Sequence, residues 1–124
     1  FHAVVVPLEG VIRVAGTAEF TGYDLSLPEA RIQNLMRLVG EVLPAGRLER
    51  SQGSPWCGLR PMSVDGVPII GPTPIGNLWI NTGHGALGWT LAAGSGQLLS
   101  DLMTGGSPRV NPEAYALARF NGAG

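Results

Sequence analysis

The sequence predicts an α+β fold, and three observations carry that prediction. Short β-branched runs and helical apolar stripes follow one another in the order strands, helix, strands, helix, with no internal repeat. Of the 124 residues, 44% are hydrophobic and only 14% charged, which favours a packed core over disorder. The long apolar stretch 86–103 carries Thr90, Ser95, Gln97, Ser100, Asp101 and internal glycines, so it reads as a buried helix and not as a membrane span.

Taken in order, HAVVVP at 2–7, the turn signal Leu8-Glu9-Gly10 and VIRVAGTAEF at 11–20 suggest a β-hairpin. Gly22 and Asp24 open a loop. A helix is expected over 28–43: Ser26 can cap it, Pro28 suits the first turn, and Glu29 suits the positive end. Ile32, Leu35, Met36, Leu38 and Val39 form its apolar stripe, expected to pack on a sheet with the arginines outward, and Gly40 and Pro44 mark its end. Residues 47–54 are polar and loop-like. WCGLRP at 56–61 reads as extended chain, because Pro61 biases Arg60 away from helix. After the Asp65-Gly66 turn come two short strands, 67–70 and 78–81, separated by the rigid GPTPIG. The glycine loop and the apolar helix follow. Gly105-Gly106 ends that helix, 112–120 suggests a short terminal helix, and the last residues are expected to be loose.

Charge and cysteine content exclude several functions. Net charge is −1, with eight arginines, no lysine and no basic run, so nucleic-acid binding is not expected. Cys57 is the sole cysteine, which removes an intrachain disulfide and a cysteine metal cluster and fits a reducing compartment. The two histidines are far apart, so no metal site is expected. The chain starts at Phe1 without a signal-peptide pattern, and reads as a piece of something longer or a processed product.

Two places invite chemistry. Arg60, between Leu59 and Pro61, offers a planar fork that could hold a carboxylate by two hydrogen bonds. The competing reading is a structural ion pair, or a stem lying on apolar surface. In NTGHGALGWT, glycines at a strand-to-helix junction would let the N–H groups of Leu87, Gly88 and Trp89 approach a ligand at the positive helix end. We read this loop as neither a dinucleotide fingerprint nor a phosphate loop. Gly88, Ala92, Gly96 and Ser100 make a narrow ridge on which something flat, or another backbone, could pack; the alternative is close helix-to-sheet packing. His84 reads as structural, its ring bonding nearby backbone. Cys57 reads as buried and inert, Asp65 as a turn residue, and no side chain presents itself as a catalytic base or nucleophile.

GLRPMSVDGVPIIGPTP, followed closely by NLWINTGHGALGWTLAAGSGQLLSDLM, resembles the C-terminal part of the FAD-dependent D-amino-acid oxidase superfamily, most closely its bacterial dehydrogenases. EGVIRVAGTAEFTGYDLSL and the helix after it fit the same family, so the resemblance covers nearly the whole chain. It implies a fragment of a Rossmann-type FAD-binding domain plus part of an antiparallel-sheet substrate domain, with residues 1–62 ending the substrate domain and 63–124 ending the FAD domain. It further implies that Arg60 binds an amino-acid carboxylate, that the Gly85-Ala86 backbone presents a carbonyl to the substrate amine, and that Gly83, Gly85, Leu87, Gly88, Trp89 and Thr90 lie against non-covalent FAD. A helix start under the flavin pyrimidine edge would stabilise negative charge there by up to about 2 kcal/mol.

The implied reaction is oxidation of a D-amino acid by FAD, followed by hydrolysis to a 2-oxo acid and ammonia, with electrons passed to a membrane acceptor. The family's Rossmann region and its acidic ribose ligand belong to a missing N-terminal partner region. The isolated chain is therefore expected not to hold FAD alone, to be non-catalytic by itself, and to self-associate through its uncovered helix. A glycine- or sarcosine-type amine substrate is the alternative within the family. In some of its sarcosine oxidases a nearby cysteine carries the flavin, but Cys57 is displaced by one residue. The implied location is cytoplasmic, peripheral on the inner face of a bacterial membrane.

Overall fold

The structure is a computed structural model that describes residues 3–43 and 53–120. The expected loop at 47–54 lies largely outside those residues, as do the terminal residues 121–124. The chain divides into two compact units, Phe1–Leu59 and Arg60–Gly124.

In the first unit, β1 (Ala3–Leu8) and β2 (Val11–Gly16) form the expected antiparallel hairpin, with Val5 opposite Val14 and Leu8 opposite Val11. Glu9-Gly10 makes the turn, and Gly10 takes the φ of +73° that a side chain would resist. Helix α1 (Glu29–Val42) packs against β2 and buries Val39. Arg31 faces outward and pairs with Glu19 at 3.0 Å.

The helix start differs from expectation. Pro28 occupies the N-cap position with no side-chain cap. Ser26 is not available to cap, because its N–H and hydroxyl both donate to the Asp24 carboxylate, at 2.8 and 3.1 Å. A charged acceptor two residues away outcompetes the helix end. Cys57 is exposed, correcting the buried reading; its thiol donates to the Leu25 carbonyl at 2.9 Å.

In the second unit, β3 (Ile69–Pro72) pairs antiparallel with β4 (Trp79–Thr82), two residues and one residue later than expected. A 3-10 turn, Gly85–Leu87, leads into α2 (Gly88–Thr104), which lies over both strands. Ile70 and Leu98 are the buried apolar side chains here, each worth about 1.5–3 kcal/mol of burial. Gly105, at φ +72°, closes α2, and the Gly106 N–H returns to the Asp101 carbonyl at 2.7 Å. The terminal segment forms two 3-10 turns, Pro112–Tyr115 and Leu117–Phe120, in place of one helix.

Helix α2 is not the buried helix its composition suggests. Among the described residues it buries only Ser95 and Leu98, while Trp89 is 95% exposed. The ridge residues Ala92, Gly96 and Ser100 are exposed, and a Cβ at Gly96 would meet nothing within 4 Å, so close helix-to-sheet packing does not explain them.

Asp65 does more than turn the chain. Its carboxylate accepts the Val67 N–H at 3.1 Å and two hydrogen bonds from the Arg119 guanidinium, at 2.7 and 3.0 Å. Arg119 also donates to the Val67 carbonyl at 2.6 Å and lies 4.3 Å from the centre of the Phe120 ring. The Arg119 hydrogen bonds, aided by the Val67 amide, hold the Asp65 carboxyl far below the usual carboxylate range. A carboxyl depressed in the fold stabilises it fully above its unfolded value, near pH 4, and the benefit drains away as pH falls below that. Acid titration followed by amide exchange should therefore release the 112–120 segment below about pH 4 in the native chain. Asp65→Asn should release it already at neutral pH and flatten this acid dependence; an unchanged acid profile would refute the assignment.

Candidate functional site

The site begins where β4 ends. Gly83 is buried with φ +78°, and a Cβ there would stand 3.2 Å from Ser63 Cβ and 3.3 Å from its backbone nitrogen. Both conformation and space therefore require glycine. This approach lets the extended chain at 61–63 pair with the loop: Met62 bridges His84 antiparallel, and the Gly85 N–H donates to the Pro61 carbonyl at 2.9 Å. Arg60 immediately precedes this paired segment and Ala86 immediately follows it, where the chain turns into its 3-10 segment.

Arg60 is exposed and makes no ion pair or hydrogen bond among the described residues, which removes its structural ion-pair reading there. Its fork is available to a ligand.

His84 is held by a side chain and not, as expected, by backbone. Its Nε2 shares a 2.9 Å hydrogen bond with Ser95 Oγ, and Ser95 is only 7% exposed. Sequence reasoning passed over Ser95. Its signal is its place on the packed stripe Leu91, Ser95, Leu98, Leu102: a lone hydroxyl among leucines at helical spacing needs a partner.

The Leu87 N–H is not free, since it donates to the His84 carbonyl at 3.1 Å. The helix proper starts at Gly88 without a side-chain cap, so its positive end lies at Gly88, Trp89 and Thr90. Trp89 and Leu87 are exposed around it, and Thr90 lies at an apolar cleft of about 400 Å³ walled by Val67, Ile70, Leu91, Leu98 and Tyr115.

The spacing Gly83-x-Gly85-x-x-Gly88 does match a dinucleotide fingerprint, between a strand and a helix. The fold is what excludes that reading. β4 runs antiparallel to β3, and no strand follows α2 among the described residues, so there is no strand–helix–strand unit. The room left by Gly83 is taken by Ser63, and a Cβ at Gly88 would touch His84 Cβ at 3.5 Å. No group of three or more His, Cys, Asp or Glu that could hold a metal occurs among the described residues.

With this geometry in view, comparison with known proteins is informative. The DAO family, described as FAD dependent oxidoreductase, matches residues 1–102, a span that includes Arg60, Ala86 and the helix start. A protein named D-amino acid dehydrogenase from Xanthobacter autotrophicus (strain ATCC BAA-1158 / Py2) is 52% identical over 109 residues, 88% of this chain. The chain spans 26% of that relative's length. No solved structure matches.

The two kinds of glycine predict opposite responses. Gly83→Ala should destabilise by about 1–3 kcal/mol in urea unfolding. Gly96→Ala, on an open helix face, should stabilise by roughly 0.5–1 kcal/mol. Equal responses would remove the argument for the Gly83–Ser63 approach.

Proposed function

The chain belongs to the DAO family of FAD-dependent oxidoreductases, and from that premise we propose that it is the C-terminal segment of an enzyme that oxidatively deaminates D-amino acids to 2-oxo acids and ammonia. The observation that carries this reading is the pairing of the chain at 61–62 with the loop at 84–85, flanked by Arg60, which has no ion pair among the described residues, and by Ala86. The name of the Xanthobacter relative supports the substrate class.

In this reading Arg60 takes the substrate carboxylate with two hydrogen bonds, and the Ala86 carbonyl accepts one from the amine. Two contacts on either side of the α-carbon fix its orientation, which is most of what a hydride donor requires of the protein. Bound FAD supplies the oxidant that takes the hydride from that carbon. No side-chain base is assigned, because a substrate amine that arrives neutral has no proton to lose first. Gly83 and Gly85 shape the turn beside the flavin. The amide edge at Gly88, Trp89 and Thr90, with Leu87 beside it, favours negative charge on the ring edge that faces it.

Residues 1–62 belong, in this proposal, to a substrate domain and residues 63–124 to the end of a Rossmann-type FAD domain, whose dinucleotide-binding part lies elsewhere in the parent protein. No helix among the described residues is long and apolar enough to cross a membrane. Separately, in this proposal the parent enzyme is cytoplasmic, is peripheral on the inner membrane face and reduces a membrane acceptor.

In the parent protein, Arg60→Ala should raise the KM for D-amino acids about 10- to 100-fold, the loss of a charge-assisted pair, while FAD content stays unchanged. Steady-state kinetics with an unchanged KM would sink the assignment. The isolated 124-residue chain should neither bind FAD stoichiometrically nor sediment as a lone 12.9 kDa species. Flavin fluorescence titration and sedimentation velocity read the two properties separately.

A further inference from the structure

We propose that the His84–Ser95 side-chain pair is a positioning device for the substrate amine, setting where the Ala86 carbonyl stands relative to Arg60. The inference rests on the function proposed above, but its physical basis is the loop itself. Gly83 and Gly85 hold φ of +78° and +56° on either side of His84, whose φ and ψ are −74° and −5°. Glycine backbone is the softest kind, so two glycines around one residue make a pivot on each side of it.

Three hydrogen bonds restrain that pivot. The Leu87 N–H to His84 carbonyl bond is internal to the loop and moves with it. The Gly85 N–H to Pro61 carbonyl bond ties the loop to the extended segment that carries Arg60. The His84–Ser95 bond is the side-chain tie from the loop to α2. Ser95 lies seven residues beyond Gly88, about 10 Å along the helix axis, so the imidazole reaches along α2 and resists rotation of the loop. Ser95 is itself buried, where an unpaired hydroxyl is costly, so the pair is held closed.

The geometry separates the two ends of the substrate. In this proposal the carboxylate is held from the extended segment at 60–62, which the His84–Ser95 bond does not touch. The amine is held from the loop, one residue past Gly85, and does. Loss of the tie should therefore weaken recognition of the amine and spare that of the carboxylate, whereas general loosening of the fold would weaken both alike.

The test uses the parent protein with FAD bound, D-alanine as the amine-bearing ligand and propionate as the same chain without the amine. Ser95→Ala should raise the half-saturating D-alanine concentration in anaerobic flavin reduction about tenfold, while the propionate Kd, read from the flavin spectrum, changes by less than about twofold. His84→Gln, whose amide can reach Ser95, should stay within about threefold of wild type for D-alanine. Equal weakening of both ligands by Ser95→Ala, or no effect on either, would overturn the positioning role. Amide exchange supplies an arm that needs no substrate: Gly85 should exchange about tenfold faster in Ser95→Ala, and unchanged protection would also overturn it. A wild-type protein that binds neither ligand while Gly85 responds as expected would locate the failure in the proposed activity, and would overturn the amine assignment with it.

Discussion

The close approach of Gly83 to Ser63 is the constraint on which the rest of the second unit depends. A Cβ at 83 would stand 3.2 Å from Ser63 Cβ and 3.3 Å from its nitrogen, so the chain at 61–63 would have to give by a few tenths of an ångström. The Met62–His84 bridge and the Gly85–Pro61 hydrogen bond lie on that same approach. A single missing methyl group thus links a local backbone preference to the pairing of two segments distant in the chain.

A second tie holds the end of the chain onto this arrangement. Arg119 meets Asp65 as a fork on a carboxylate and takes the Val67 carbonyl with the same nitrogen, so one side chain closes both the turn before β3 and the terminal 3-10 segment. The pair is partly exposed and screened by solvent, so its value lies more in geometry than in energy. Asp65 lies within the span matched by the family and Arg119 beyond it.

The surface carries a third lesson. Among the described residues only Val39, Ile70 and Leu98 are buried apolar side chains, although 44% of the sequence is hydrophobic. Phe20 and Val64 are almost wholly exposed, as is Trp89 at the start of α2. Scattered exposed apolar residues are ordinary, but an apolar helix that buries one leucine and one serine has a face without a partner among the described residues.

The order of elements, the hairpin turn at Gly10, the span of α1 and the glycine loop between β4 and α2 were legible in the residues, because each rests on local chemistry: period or turn propensity. Caps, partners and burial were not. Ser26 lost its capping role to a neighbouring carboxylate, Cys57 is exposed, and His84 bonds a hydroxyl eleven residues away. Most telling is Gly83-x-Gly85-x-x-Gly88, whose spacing matches a nucleotide fingerprint while its antiparallel strand and filled glycine pocket make it something else. From the residues alone came the backbone positions that could bend and the planar, forked charge at Arg60. Only tertiary structure decided what stood across from them, because register and close approach are properties of two segments together and are written in neither alone.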